Sequence, residues 1–69
     1  MKIETDNQGN KYFKNDKGQL HRTDGPAVEY ADGYKQWWIC RIKLPEKEFD
    51  YWSKDWNEEK EIMFKLSYS

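Results

Sequence analysis

Hydrophobic and polar positions alternate with a period of two through the first part of the chain, and the period then lengthens. The runs "MKIET", "KYFK", "QLHR", "PAVEYA" and "YKQWWICRIKL" are short, alternating and rich in aromatic and β-branched residues. Between them lie "DNQGN", "NDKG", "TDG" and "ADGY", clusters of the residues that tolerate turn conformations. Asp32-Gly33, set between two alternating segments, reads as a tight hairpin with a type I′ preference. Pro26 opens its run, where a strand accepts proline. The long run "YKQWWICRIKL" is read either as one strand or as two joined near Cys40-Arg41. The Asp24-Gly25 and Asp32-Gly33 pairs are thus read as structural turns.

After Leu44 the pattern becomes helical. "PEKEFDYWSKDWNEEKEIMFKL" begins with Pro45 at a plausible first helical position and has acidic residues in its first turn. At about 100° per residue, Phe49, Trp52, Trp56 and Met63 fall in a sector of about 60°, with Leu66 about 40° further round. Ile62 and Phe64 fall outside it. Asp55 followed by Glu58 also has the pattern of an N-cap with a glutamate three residues on. Two versions follow: one helix over 45–66, which is preferred, or a short helix that breaks near residues 53–55 and restarts at Trp56. The expected fold is α+β, one domain over 1–69: an antiparallel β-meander of four to five short strands over 1–44 with one C-terminal helix on a face. A shift of 24 residues aligns Gly9 with Gly33, Lys11 with Lys35, Phe13 with Trp37, Lys17 with Arg41 and Leu20 with Leu44, a degenerate repeat of a hairpin unit.

Composition narrows the picture. A domain of 69 residues has a small core, and one cysteine excludes an internal disulfide. Twelve aromatic residues are more than one such core needs, so some are expected in an interface. Net charge is −1, divided as +2 over residues 1–45 and −3 over 46–69. That balance argues against a generic nucleic-acid binder. No apolar run reaches the length of a membrane span and no signal-peptide core follows Met1, so the reading is a soluble protein of a reducing cytosol with no membrane partner. A membrane-surface role for the helix is disfavoured because its polar face is acidic.

The stretch "GQLHRTDGPAVEYADGYKQWW", Gly18 to Trp38, resembles the unit of a small repeat family of bacteriophages and large DNA viruses. That unit reads Gly-Lys-Leu-His-Arg-x-Asp-Gly-Pro-Ala, then Asp-Gly, then Trp-Trp or Trp-Tyr, and is a distant relative of the MORN-variant hairpin repeats. Members continue with an apolar residue and an Asn-Gly turn, where this chain has Ile39-Cys40-Arg41. The resemblance implies a phage or viral source, a β-hairpin architecture and a location in the cytoplasm of the infected host cell. It carries no transferable activity.

Candidate chemistry is thin. His21 and Cys40 form the one conceivable nucleophile–base pair, without an orienting third group or oxyanion signal. Asp24 and Asp32 are accounted for by their turns. No spacing suits a metal and no glycine-rich loop suits a phosphate, so catalytic residues, metal and cofactor are all expected to be none, and the protein is not read as an enzyme. Trp37 and Trp38 are neighbours on a strand and must face opposite sides of the sheet. The expected partner-binding residues are Tyr34, Gln36, Trp37, Trp38, Trp52 and Trp56. The leading reading is a small phage-type protein that inhibits or redirects a host protein, such as a component of antiviral defence, by protein–protein contact. A homodimer centred on Trp37 or Trp38 accompanies it. The alternatives are a single-stranded nucleic-acid binding module, from the basic and aromatic residues of "KYFK" and "YKQWWICR", and a self-assembling structural repeat.

Overall fold

A computed structural model describes residues 2–68. Five strands, β1 (Lys2–Thr5), β2 (Lys11–Lys14), β3 (Val28–Glu29), β4 (Lys35–Ile39) and β5 (Ile42–Leu44), precede helices α1 (Glu46–Ser53) and α2 (Glu58–Ser67). The strands lie in chain order in one sheet, every neighbour antiparallel. This is the expected α+β meander with two helices in place of one.

Three connections share one turn geometry. Asp6, Asn15 and Tyr30 each accept, at 3.2, 3.0 and 2.9 Å, from the N–H of a glycine three residues on. Gly9, Gly18 and Gly33 have φ of 86°, 77° and 95°, so each closes a type I turn from the left-handed region. The type I′ turn expected at Asp32-Gly33 is therefore corrected: Gly33 alone has a positive φ there, because this longer loop needs one left-handed residue and not two. The type I′ turn lies instead at Cys40-Arg41, with φ of 48° and 72° between the paired Ile39 and Ile42. The long run is thus two strands. The turn at Gly9 recurs at Gly33, in step with the 24-residue offset, but it recurs at Gly18 as well.

The third lane of the sheet is filled twice. β3 pairs with Lys11 and Tyr12 on one side and with Lys35 and Gln36 on the other. Beyond it, residues 20–22 take over. Leu20 bridges Lys14, the His21 N–H donates to the Phe13 carbonyl at 3.0 Å, and the Arg22 N–H donates to the Trp38 carbonyl at 3.1 Å. "QLHR" therefore fills the place of a strand without becoming a regular one, and residues 23–26 loop out between the two halves.

Buried side chains form two groups. Ile39, Leu44, Phe49 and Phe64 make the cluster beneath the helices, flanked by Trp37, Trp52, Trp56 and Tyr68. Phe13, Ala27 and Val28 are buried outside that cluster.

The helical segment breaks, so the preferred continuous helix is corrected. Lys54 is extended and Asp55 has a φ of 51°. Asn57, not Asp55, caps α2, its side chain accepting from the Lys60 N–H at 2.9 Å. Pro45 sits one residue before α1, not within it, and its carbonyl accepts from the Phe49 N–H at 2.9 Å. Lys60 joins the two helices by donating to the carbonyls of Tyr51 and Lys54. It supplies the cation that the last turn of α1 lacks. The break resets the helical phase. Phe64, expected outside the apolar sector, is fully buried, while Met63 of that sector and Leu66 just beyond it are exposed.

Candidate functional site

The densest chemistry of the motif is built on Arg22. Its Nε donates to Asp24 at 2.8 Å, and its Nη1 donates to the Pro26 carbonyl and to Glu29, both at 3.1 Å. The guanidinium lies 3.9 Å from the centre of the Phe13 ring. Gly25 runs beneath it, and a Cβ there would come within 3.0 Å of the guanidinium carbon. Gly25 is glycine for want of space, since its φ is not positive. The hydrogen bond from Arg22 holds the Asp24 carboxyl below its usual range. Ala27 is fully buried, and its backbone bridges the Phe13 N–H and the Gln36 carbonyl. The His-Arg-x-Asp-Gly-Pro-Ala string is thus a staple across the split lane of the sheet. Its polar groups are turned on each other.

His21 and Cys40 are brought together, but not as nucleophile and base. The His21 Nδ1 accepts from the Cys40 backbone N–H at 2.9 Å, which puts the proton of the neutral ring on Nε2. The imidazole packs against Trp56 with ring centres 5.8 Å apart, and burial lowers its pKa. Burial, followed by the charge of Glu61, pushes the Cys40 thiol upward, the reverse of an activated nucleophile. A shallow cleft of about 200 Å³ lies beside it, lined by Asn15, Lys17, Gln19, Glu61 and Lys65 among others. Both signs of charge meet there, and Lys65 already pairs with Glu61 at 3.4 Å. Among the described residues, no three His, Cys, Asp or Glu side chains are grouped as metal ligands, and no helix is long and apolar enough to cross a membrane.

The six residues expected at a partner surface do not form one patch. Trp37 faces the helices and meets Phe49 at 6.4 Å between ring centres. Trp52 and Trp56 pack edge-on to Phe64 at 5.2 and 5.8 Å. All three are half-buried. Trp38 takes the other face of the sheet, as alternation requires, with its indole N–H donating to Gln36 at 3.1 Å. It too is half-buried. Tyr34 is exposed and stacks on Tyr30 with ring centres 5.6 Å apart.

A surface that the periodicity did not reveal lies on α2. Phe64 points inward, and the opposite side carries Ile62, Met63 and Leu66, exposed at 56%, 58% and 74%. Glu59 stands one turn before Ile62 and Met63 on the same side. Continuous phasing from Phe49 hid this patch; the Asp55 and Asn57 turn chemistry was the one signal that could have exposed it. No family model, no curated protein and no solved structure matches the chain.

Proposed function

We propose that this protein is a phage-type binding protein without catalytic activity, which inhibits or redirects a host protein by direct contact in the host cytoplasm. A component of antiviral defence fits that reading. The observation that carries it is the outward side of α2, where three large apolar side chains face solvent on a ten-residue helix. Such a face is the usual form of a helix that docks in a partner's groove. Glu58 and Glu59 border it, so the fitting partner has an apolar groove with a basic rim. The viral source rests on the Gly18–Trp38 motif. The non-catalytic reading is supported by the His21 Nδ1 being occupied by a backbone N–H and by the raised thiol pKa of Cys40.

The test is affinity capture from host lysate with wild type and with the double variant I62E/M63E, each checked for an unchanged circular dichroism spectrum. A protein recovered by wild type and lost with the variant supports the reading. Equal recovery by both, or no specific recovery, removes it. Salt-dependent binding of labelled single strands by wild type would favour the nucleic-acid alternative.

Self-association belongs to the same proposal, but the Trp pair gives it little surface. Trp37 packs inward on Phe49, and Trp38 is half-buried with its N–H engaged.

A further inference from the structure

The sheet ends on β1, whose four residues are all exposed and which, among the described residues, pairs with β2 alone. Which of its backbone groups face the open side follows from the ladder. Phe13 donates to Ala27 and accepts from His21, so its peptide groups point away from β1. In an antiparallel pair the opposed residue shares that state. Ile3, opposite Phe13, and Thr5, opposite Lys11, therefore turn their N–H and C=O to the open edge. Lys2 and Glu4 turn theirs toward β2. The unsatisfied edge is thus centred on Ile3, with a cation on one side and an anion on the other.

That arrangement is complementary to itself. We infer that β1 pairs antiparallel with β1 of a second copy of this chain about a two-fold axis at Ile3, joining two five-stranded sheets into one. In this register Ile3 and the partner's Ile3 exchange both backbone hydrogen bonds. Lys2 stands opposite the partner's Glu4, and Glu4 opposite the partner's Lys2, as close non-hydrogen-bonded pairs. Within one chain Lys2 is opposed by Lys14, a like charge, while the Glu4 Oε1 accepts from Lys14 at 3.0 Å. The second copy supplies the counter-charge that Lys2 lacks in the ladder and covers the Ile3 side chain, which is 59% exposed. The register shifted to Glu4 would set that carboxylate against its own copy, a like-charge contact. The other open edge, β5, is three residues long, is centred on Lys43 and runs into Pro45. Pairing it with its own copy sets two lysines face to face. The inference does not depend on the host-partner reading, because β1 and the outward side of α2 share no residue.

Four residues of edge bury far less than a standard interface, so the dimer is a weak one, populated at about 0.5 mM and above and dispersed at about 10 µM. Sedimentation equilibrium over that range tests it with four samples: wild type, K2E, E4K, and an equimolar mixture of the two variants. Each single variant opposes like charges and should weaken association about tenfold or more. The mixture restores both opposite-charge pairs and should regain wild-type association. Hydrogen exchange supplies a second readout, with the Ile3 amide becoming protected as wild-type concentration rises while the Glu4 amide does not change. K2Q and E4Q replace the charge swaps if either fails to fold: each alone loses both opposite-charge pairs and should weaken association, and mixing the two restores one Lys2–Glu4 pair and should recover part of it. A single-chain mass for wild type at about 1 mM overturns the inference. So does association undiminished in both single variants, a mixture that fails to recover, or a mass that keeps growing beyond two chains, the sign of head-to-tail joining of β1 to β5.

Discussion

Truncating Arg22 to alanine removes three polar contacts and a ring stack from a side chain only 20% exposed. It leaves Glu29 and the Pro26 carbonyl short of their donor, at a cost of about 2–4 kcal/mol. Lysine should not restore it, since an ammonium cannot bridge Asp24, Pro26 and Glu29 while lying on Phe13. Gly25→Ala alone should cost about 1–2 kcal/mol by crowding the guanidinium, and much less once Arg22 is alanine. A double-mutant cycle read by urea unfolding checks this; additive effects would mean that the two residues do not meet. His21 gives the pH dependence at this scale. Burial holds its folded pKa below the ordinary 6.5, and its Nδ1 must stay unprotonated to accept from Cys40. The unfolded chain therefore takes up the proton at higher pH than the folded one. Stability is complete above the unfolded pKa and is lost as pH falls through it toward the folded value. The melting temperature of wild type should drop between pH 7.5 and 5.5, and His21→Gln should flatten that slope.

Among the elements, the β4–β5 hairpin carries removable strain. Cys40 and Arg41 hold the left-handed conformations of a type I′ turn, for which Asn-Gly is the preferred pair. Replacing Cys40-Arg41 with Asn-Gly should raise stability by about 1 kcal/mol, seen as a higher urea midpoint at unchanged slope. A lower midpoint would show that the half-buried thiol is worth more than the backbone strain. The helix break is controlled the same way, by local chemistry. Asn57→Ala removes the α2 cap and should cost about 1 kcal/mol. The loss should appear as fraying of residues 58–61, with α1 unchanged.

For the whole molecule, the two groups of buried residues imply unequal stability. The helix-covered cluster holds α2 chiefly through Phe64, whose ring meets Trp52, Trp56 and Tyr68 at 5.2, 5.8 and 4.7 Å. Phe64→Ala should cost about 3–5 kcal/mol, as much as a domain of this size has to lose. Ile62→Ala, on the opposite side of the same helix, should change stability by less than about 0.5 kcal/mol. Equal effects of the two would contradict the inward and outward assignment. Among the described residues β1 pairs with β2 alone, so its amides should exchange with solvent before those of β4 in dilute protein.

Alternation and turn residues by themselves determined the meander and the opposite orientation of Trp37 and Trp38, though "QLHR" fills its lane without becoming a regular strand. Side chains on a strand must alternate and glycine is the residue that enters the left-handed region freely, so local chemistry suffices there. The pattern also made His21–Ala27 conspicuous, yet not why. Only the tertiary structure brought Arg22 onto Phe13 and Gly25 beneath it, because that contact joins residues from separate lanes of the sheet. Helix phase failed for a similar reason. One residue with positive φ at Asp55 and a cap at Asn57 rotated everything after them, moving Phe64 into the core and Met63 out to solvent beside Ile62. A periodic pattern predicts a face only while the helix is unbroken, and whether it is unbroken was decided by Lys60 reaching back to the end of α1 and by the aromatic cluster waiting for Phe64.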